Sequence, residues 1–149
     1  MKGFRHTTRM RVRNFEVDWQ GIVHNSIYLQ YFETARIEYL RGIGHVLDIA
    51  SINRGSRVVL ARNEVDYIFP ARFDDLLEVG TKVSLVGTSS FIFEGVIRIH
   101  GTDTLIAKNR AVHVWLDPGG GYPVPVPARF LKRVEAFERR KIPRKISDL

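Results

Sequence analysis

One stripe of apolar residues at helical spacing, followed by four long runs of strand-forming residues, limits the folds open to this chain. The stripe repeats at intervals of four, three, four and four residues, which places its members on one face of an α-helix. Its members are Tyr28, Phe32, Ala35, Tyr39 and Ile43. Asn25 or Ser26 is suited to cap the start of this helix, and Gly42 and Gly44 are suited to end it.

The strand-like runs are rich in β-branched and aromatic residues and are separated by turn-forming residues. The predicted strands cover residues 5–13, 57–69, 79–90, 91–101 and 104–117. The tripeptide Gly-Thr-Asp at 101–103 predicts a hairpin turn. We expect the last four strands to pair as an antiparallel meander beside the helix, which is an α+β arrangement. Strands of this length have edges that favour pairing between subunits.

Three shorter segments complete the prediction. Residues 45–53 favour a short second helix, and the Pro- and Gly-rich residues 118–127 favour irregular structure. Residues 128–141 predict a helix with Phe130, Val134 and Phe137 on one face.

The length and composition exclude several classes of protein. A chain of 149 residues is the size of a single domain, which we expect to span residues 1–149. It has no cysteine, so disulfides, thiolate nucleophiles and cysteine-based metal sites are excluded. The five histidines show no ligand spacing, and we expect neither a metal nor another cofactor. No apolar run approaches the roughly 20 residues of a membrane span, and the N-terminus lacks the apolar core of a secretory signal, so we expect a cytoplasmic protein.

The net charge of +7 is concentrated at the two ends of the chain. Residues 1–13 hold five basic and no acidic residues, and residues 129–149 hold eight basic and three acidic residues. A basic helix and tail are therefore expected at about 128–149. Such ends suit a polyanionic partner or a solvated surface, but the aromatic signatures of RNA-binding modules are absent, so nucleic acid is not the favoured partner.

One segment, residues 16–36, could carry chemistry. Asp18 lies in the loop before the long helix, Gly21 allows that loop to turn tightly, and Asn25 lies at the helix start. The first N–H groups of a helix lack intrahelical partners and could polarise an acyl carbonyl, while a nearby carboxylate could act as base or nucleophile. The alternative is that Asp18 only forms a turn or places a negative charge at the helix N-terminus.

The same segment resembles the N-terminal signature of hotdog-fold acyl-CoA thioesterases of the 4-hydroxybenzoyl-CoA thioesterase-like family. The resemblance is carried by Asp18, Gly21, Asn25, Tyr28-Leu29 and Glu33-Thr34-Ala35-Arg36, and it continues through residues 63–83, the SSFIFEG strand and the PVPVPARF stretch. It implies a five-stranded antiparallel sheet wrapped around one long central helix. It also implies a homodimer or homotetramer with the active site at a subunit interface.

The resemblance assigns catalytic roles to Asp18, which would attack the thioester or activate a water, and to Asn25, whose backbone N–H would polarise the carbonyl. It suggests substrate-binding roles for Gly21, His24, Tyr28, Arg57, Ser89 and Ser90. The chain departs from the family pattern in two places. Many relatives have histidine at the position of Asn25, whereas here it is His24, and Thr88 stands where relatives often carry a basic residue before the serine pair. Arg57 and the basic C-terminal helix are candidate replacements for that cation.

The expected function is therefore hydrolysis of acyl-CoA or acyl carrier protein thioesters to a free acid and a thiol. Two alternatives remain open. One is a non-hydrolytic hotdog domain that binds acyl-CoA, although such a binder gains nothing from a carboxylate beside a polyanion. The other is a hotdog dehydratase, a chemistry that typically pairs a histidine with a helix carboxylate. The long helix offers Glu33 and Glu38 but contains no histidine.

Overall fold

A computed structural model of the chain describes residues 1–45, 50 and 57–145. Within these residues, a long helix, α1 (Asn25–Gly42), lies against a sheet of five antiparallel strands. The strands are β1 (His6–Arg11), β2 (Arg57–Tyr67), β3 (Leu76–Val86), β4 (Ser90–Ile99) and β5 (Leu105–Leu116). The predicted hotdog architecture, an α+β fold with one sheet around a central helix, is confirmed.

All five members of the apolar stripe are buried in the core, as predicted, although Ile43 lies one residue beyond the end of α1. The helix also buries Tyr31 and Arg36, which the stripe does not include. It ends as predicted: Gly42 is its last residue, and Gly44 adopts a left-handed conformation with φ of +76°. The predicted cap is wrong, because His24 rather than Asn25 or Ser26 occupies the capping position.

The strand order across the sheet is β1-β3-β4-β5-β2. Strands β3, β4 and β5 form the predicted meander, but β2 pairs with β5 and not with β3, so that part of the prediction is wrong. The pairing of β2 with β5 continues past the end of β2, where the N–H groups of Ile68 and Phe69 both donate to the carbonyl of Ile106, at 2.9 and 3.1 Å. These bonds keep the chain beside β5, and residues 68–75 then cross the end of the sheet to reach β3.

The core lies between α1 and one face of the sheet. Around the first half of the helix, Tyr28 and Phe32 pack with Leu77, Ile97 and Ile106. A Cβ atom at Gly95 of β4 would lie 2.7 Å from the Phe32 ring, so the close approach of α1 to the sheet needs glycine there. Around the second half of the helix, large aromatic side chains fill the core. They are Tyr39, Phe91, Phe93, Trp115 and Phe130.

A second helix, α2 (Ala128–Glu138), covers this aromatic part of the core with Phe130 and Val134, as predicted. It ends three residues before the predicted boundary, because Arg139 adopts a left-handed conformation with φ of +53°. The basic tail then returns to β3, where the N–H of Val86 donates to the carbonyl of Pro143 and the carbonyl of Val86 accepts from the N–H of Lys145, both at 3.0 Å.

Two other predictions concern the connections. Residues 118–127 contain neither helix nor strand, as expected. The helix predicted at 45–53 falls mainly on residues 46–49 and 51–53, outside the described part of the chain. None of the helices in the described ranges has the length and apolar character needed to cross a bilayer.

Candidate active site

A tight loop before α1 holds Asp18. The N–H of Asp18 donates to the carbonyl of Ile22 at 2.8 Å, and the N–H of Gly21 donates to the carbonyl of Asp18 at 3.0 Å. Gly21 has φ of +77°, a conformation that favours glycine, so its predicted role in the turn is confirmed. The Asp18 side chain is half-buried, and its Oδ1 accepts the N–H of Gln20 at 2.7 Å. Across the described residues, no group donates to the other carboxylate oxygen, Oδ2.

The start of α1 faces the same loop. His24 caps the helix with its imidazole, whose Nδ1 accepts the N–H of Ser26 at 3.3 Å. Asn25 is the first helical residue and is exposed, and nothing in residues 1–45, 50 and 57–145 accepts its backbone N–H. A free N–H at this position lies at the positive end of the helix dipole. It can therefore donate to a ligand oxygen.

Asp18, His24 and Asn25 line one cavity of about 370 Å³. Its opposite wall is formed by the aromatic and aliphatic side chains of Tyr67 and residues 68–70. The Tyr67 hydroxyl donates to the Asn25 carbonyl at 2.9 Å, which links this wall to the helix start. The cavity thus combines an unsatisfied carboxylate oxygen and an unsatisfied N–H with an apolar wall.

Tyr28 forms the inner side of this cavity. It is buried, and its hydroxyl oxygen accepts the N–H of Ala71 at 3.1 Å, so its own proton remains available to a ligand. Burial raises the pKa of the Tyr28 phenol, which keeps it protonated at neutral pH. Its ring packs edge-to-face against Tyr67, with centroids 5.3 Å apart.

The chain shares its sequence pattern with a known family and its fold with solved enzymes. Residues 12–134 match the model of the Thioesterase-like superfamily. The chain belongs to the Thioesterase-like superfamily. It is 31% identical over 118 residues to an acyl-CoA thioesterase YbgC of Haemophilus influenzae, covering 79% of this chain and 85% of that protein. It is 33% identical over 117 residues to a putative esterase of Aquifex aeolicus, and the match covers 78% of this chain and 89% of that protein.

Among solved structures, a thioesterase from Thermus thermophilus, crystallised with coenzyme A and Zn, superposes with a TM-score of 0.81. The two sequences are 34% identical, and the match covers 95% of this chain and all of that one. In this thioesterase-like chain, no group of three or more His, Asp or Glu side chains within the described residues could hold a metal ion.

A second cavity of this thioesterase-like chain, of about 410 Å³, lies between α1 and the beginning of β2. Arg57 lies at its rim and apolar side chains such as Leu40 and Phe91 line it. Arg36 is also in its lining, although only 6% exposed, and donates to Asn109 Oδ1 at 3.0 Å. Burial lowers the pKa of the Arg36 guanidinium, and burial lowers the pKa of His113 to about 4, so His113 is neutral at neutral pH.

The predicted site residues therefore fall into three places. Asp18, His24, Asn25 and Tyr28 meet at the first cavity, whereas Arg57 lies at the second. Ser89 lies in the turn before β4, where its carbonyl accepts the N–H of Trp115 at 2.8 Å, and Ser90 is the first residue of β4. Neither serine lines these two cavities.

Sequence reasoning missed the apolar wall of the first cavity. Tyr67, Ile68 and Phe69 are all about half exposed, although they form a run of large apolar residues. The available signal in the sequence was the run of three large aromatic or aliphatic residues directly before Pro70. In the structure they form an exposed apolar patch, which is typical of a ligand or partner site.

Proposed function

We propose that this protein hydrolyses acyl-CoA or acyl carrier protein thioesters to a carboxylic acid and a thiol. The proposal is carried by one observation: Asp18 and Asn25 line the same cavity, and within the described residues the Asp18 Oδ2 and the Asn25 N–H have no hydrogen-bond partner. Membership of the Thioesterase-like superfamily and the names of the relatives support the choice of a thioester as substrate.

The thioester carbonyl oxygen accepts the Asn25 N–H, and the helix dipole stabilises the negative charge that develops on that oxygen. Asp18 then acts in one of two ways. Its Oδ2 attacks the carbonyl carbon and forms a mixed anhydride that water hydrolyses, or it takes a proton from a water that attacks instead. In both routes the C–S bond breaks, the thiolate leaves and gains a proton, and the acyl group ends as a carboxylic acid.

Tyr28 and His24 bind the substrate beside these groups. The Tyr28 proton is free because its oxygen already accepts the Ala71 N–H, so it can donate to the substrate. The His24 ring lies at the mouth of the same cavity, with one nitrogen engaged by Ser26.

The protein forms homodimers in which the β2 edges of two copies pair, or homotetramers built from two such dimers. Within the described residues β2 has a strand neighbour on one side only, and its side chains include exposed Val59 and Leu60. A long open edge with apolar side chains favours pairing with another strand. Antiparallel pairing of two copies about a two-fold axis brings the Arg57 end of one β2 to the Tyr67 end of the other. The partner's Arg57 then lies near the cavity of Asp18 and can hold the phosphates of CoA.

The test of the activity is thiol release from a panel of acyl-CoA and acyl carrier protein thioesters. We expect thiol release at a rate that depends on the acyl group. Tight acyl-CoA binding without thiol release would support the non-hydrolytic alternative, and hydration of an enoyl thioester would support the dehydratase.

The dimer is tested by sedimentation at micromolar concentration, with the wild type and with Leu60→Lys. We expect a dimer or larger species for the wild type and a monomer with little activity for Leu60→Lys. A fully active wild-type monomer would contradict the interface.

A further inference from the structure

Glu16 is a buried carboxylate two residues before Asp18. It is only 2% exposed and ends a short 3₁₀ turn, Asn14–Glu16. Its Oε2 accepts the backbone N–H of Arg13 at 2.8 Å and the hydroxyl of Tyr31 at 2.7 Å. Its Oε1 accepts Nε and Nη2 of Arg13 at 3.0 and 2.7 Å. A buried carboxylate is costly unless it is paired, and here both oxygens are satisfied.

These bonds keep Glu16 ionised. Burial alone raises the pKa of the Glu16 carboxyl, but the hydrogen bonds from Arg13 and Tyr31 outweigh burial and bring this pKa below its ordinary value. Burial and the Glu16 carboxylate together raise the pKa of Tyr31, so its hydroxyl remains the donor. Glu16 and Tyr31 therefore form a charge-assisted hydrogen bond that joins the segment before Asp18 to α1.

Glu16 is attached to α1 at two separate points. Its side chain is bonded to Tyr31, in the second turn of the helix, and its carbonyl accepts the N–H of His24, the capping residue, at 2.9 Å. Asp18 follows Glu16 by two residues, and Asn25 follows His24 by one. The two attachments thus flank the pair of groups to which we assign the chemistry.

We propose that Glu16 and Tyr31 are positioning residues that hold the Asp18 carboxylate at its working distance from the Asn25 N–H. The inference rests on the proposed function. Catalysis of this kind depends on geometry, since a displacement of about 1 Å at the reacting groups can cost on the order of 10²-fold in rate. Within the described residues, removing the Tyr31 hydroxyl leaves Glu16 bonded to the helix only through the His24 N–H. The backbone bonds of Asp18 lie within its own loop, so Asp18 can then move relative to the helix.

The chain offers a matched control on the same helix. Tyr39 is another buried tyrosine of α1, and its hydroxyl donates to the buried carboxylate of Glu138 at 2.8 Å, close to the 2.7 Å of the Tyr31 bond. Glu138 is the last residue of α2, and neither Tyr39 nor Glu138 lines either of the two cavities. Tyr39→Phe therefore removes a bond of the same kind without touching the Asp18 loop.

The experiment compares Tyr31→Phe, Glu16→Gln and Tyr39→Phe by thermal unfolding and by steady-state thiol release from an acyl-CoA. We expect Tyr31→Phe and Tyr39→Phe to lower Tm by similar amounts. We expect kcat to fall at least about tenfold in Tyr31→Phe and in Glu16→Gln, with KM little changed, and to stay near wild type in Tyr39→Phe. Glu16→Gln provides the second reading if either phenylalanine variant folds poorly.

Combining variants separates this inference from the proposed function. In the Asp18→Asn background, Tyr31→Phe should cause no further loss of kcat, because the group that it positions is already absent. Equal kcat in Tyr31→Phe, Glu16→Gln and Tyr39→Phe, alongside an inactive Asp18→Asn, would overturn the positioning role and leave the proposed function standing. An active Asp18→Asn would instead overturn the catalytic role of Asp18, on which this inference rests. Absence of thiol release by the wild type would overturn the proposed function.

Discussion

Asp18→Asn separates the chemistry of this site from its folding. The Asp18 side chain is half-buried and accepts one hydrogen bond, from the Gln20 N–H at 2.7 Å, which the Oδ1 of asparagine can also accept. The variant loses the charge assistance in that bond and a negative charge near the N-terminus of α1. These losses cost about 1–2 kcal/mol together. A domain with the usual stability of about 5–15 kcal/mol remains folded after such a loss.

The effect on catalysis is larger, because the amide can neither attack a thioester nor accept a proton from water. Loss of a general base costs about 10²–10⁴-fold in kcat, equivalent to about 2.7–5.4 kcal/mol of activation free energy, and loss of a nucleophile costs more. The assay is thiol release under saturating acyl-CoA, with circular dichroism and Tm recorded on the same preparation.

Asp117→Asn is the matched control. Asp117 is also half-buried, and its Oδ2 accepts the N–H groups of Gly119 and Gly120 at 3.0 and 2.6 Å in a turn that lies outside both cavities. We expect it to keep wild-type kcat. If Asp18→Asn retained more than about a tenth of the wild-type kcat, the role assigned to the Asp18 carboxylate would be refuted.

Ionic strength, pH and core packing should each change a measurable property of this protein. The Debye length falls from about 10 Å at 0.1 M to about 3 Å at 1 M salt, which weakens contacts between exposed cations and the phosphates of CoA. KM for acyl-CoA should therefore rise with ionic strength while kcat changes little. In the same steady-state assays, Arg57→Ala should reduce this salt dependence. Burial lowers the pKa of His113 from 6.5 to about 4 in the folded protein, so between these pH values the unfolded chain binds more protons than the folded one. The free energy of unfolding should therefore fall as the pH drops from about 6.5 to 4, and His113→Phe should flatten that part of a curve of Tm against pH. Gly95→Ala places a methyl group 2.7 Å from the Phe32 ring and should lower the free energy of unfolding in urea by about 1–3 kcal/mol, whereas Gly119→Ala, with its nearest contact at 3.5 Å, should change it little.

The sequence predicted the local structure well because local patterns determine it. The apolar stripe of α1 and the β-branched runs each identify an element without reference to the rest of the chain. Asp18 and Asn25 could be paired for the same reason, since they lie seven residues apart across one turn and one helix start. The residue that caps the start of α1 was mispredicted because N-cap positions in proteins generally favour Asn and Ser. Here the imidazole of His24 accepts the Ser26 N–H, a bond that a shorter capping side chain usually makes.

The parts that could not be predicted depend on contacts between distant residues. Nothing near Glu16 in the sequence indicates that Tyr31, fifteen residues later, donates to it. The hydrogen bond of Arg36 to Asn109 spans 73 residues, and the helical stripe alone leaves Arg36 on the boundary between the buried and exposed faces. In each case the partner is brought close by the sheet or by the turn before α1, and not by spacing along the chain.

The misplacement of β2 and the missing wall of the first cavity have a common cause. In a simple meander, β2 would turn directly into β3, and the residues after Tyr67 would form a tight hairpin beside that strand. Instead, hydrogen bonds to Ile106 hold Ile68 and Phe69 beside the beginning of β5, so the connection passes the start of α1 before it reaches β3. In this connection the Ala71 N–H donates to the Tyr28 hydroxyl oxygen, and the Ala71 carbonyl accepts the Val23 N–H. The crossing that leaves β2 with a single strand neighbour among the described residues therefore also builds the apolar side of the cavity that Asp18 lines. The pairing of two β2 edges would thus place a partner's strand directly beside the proposed site.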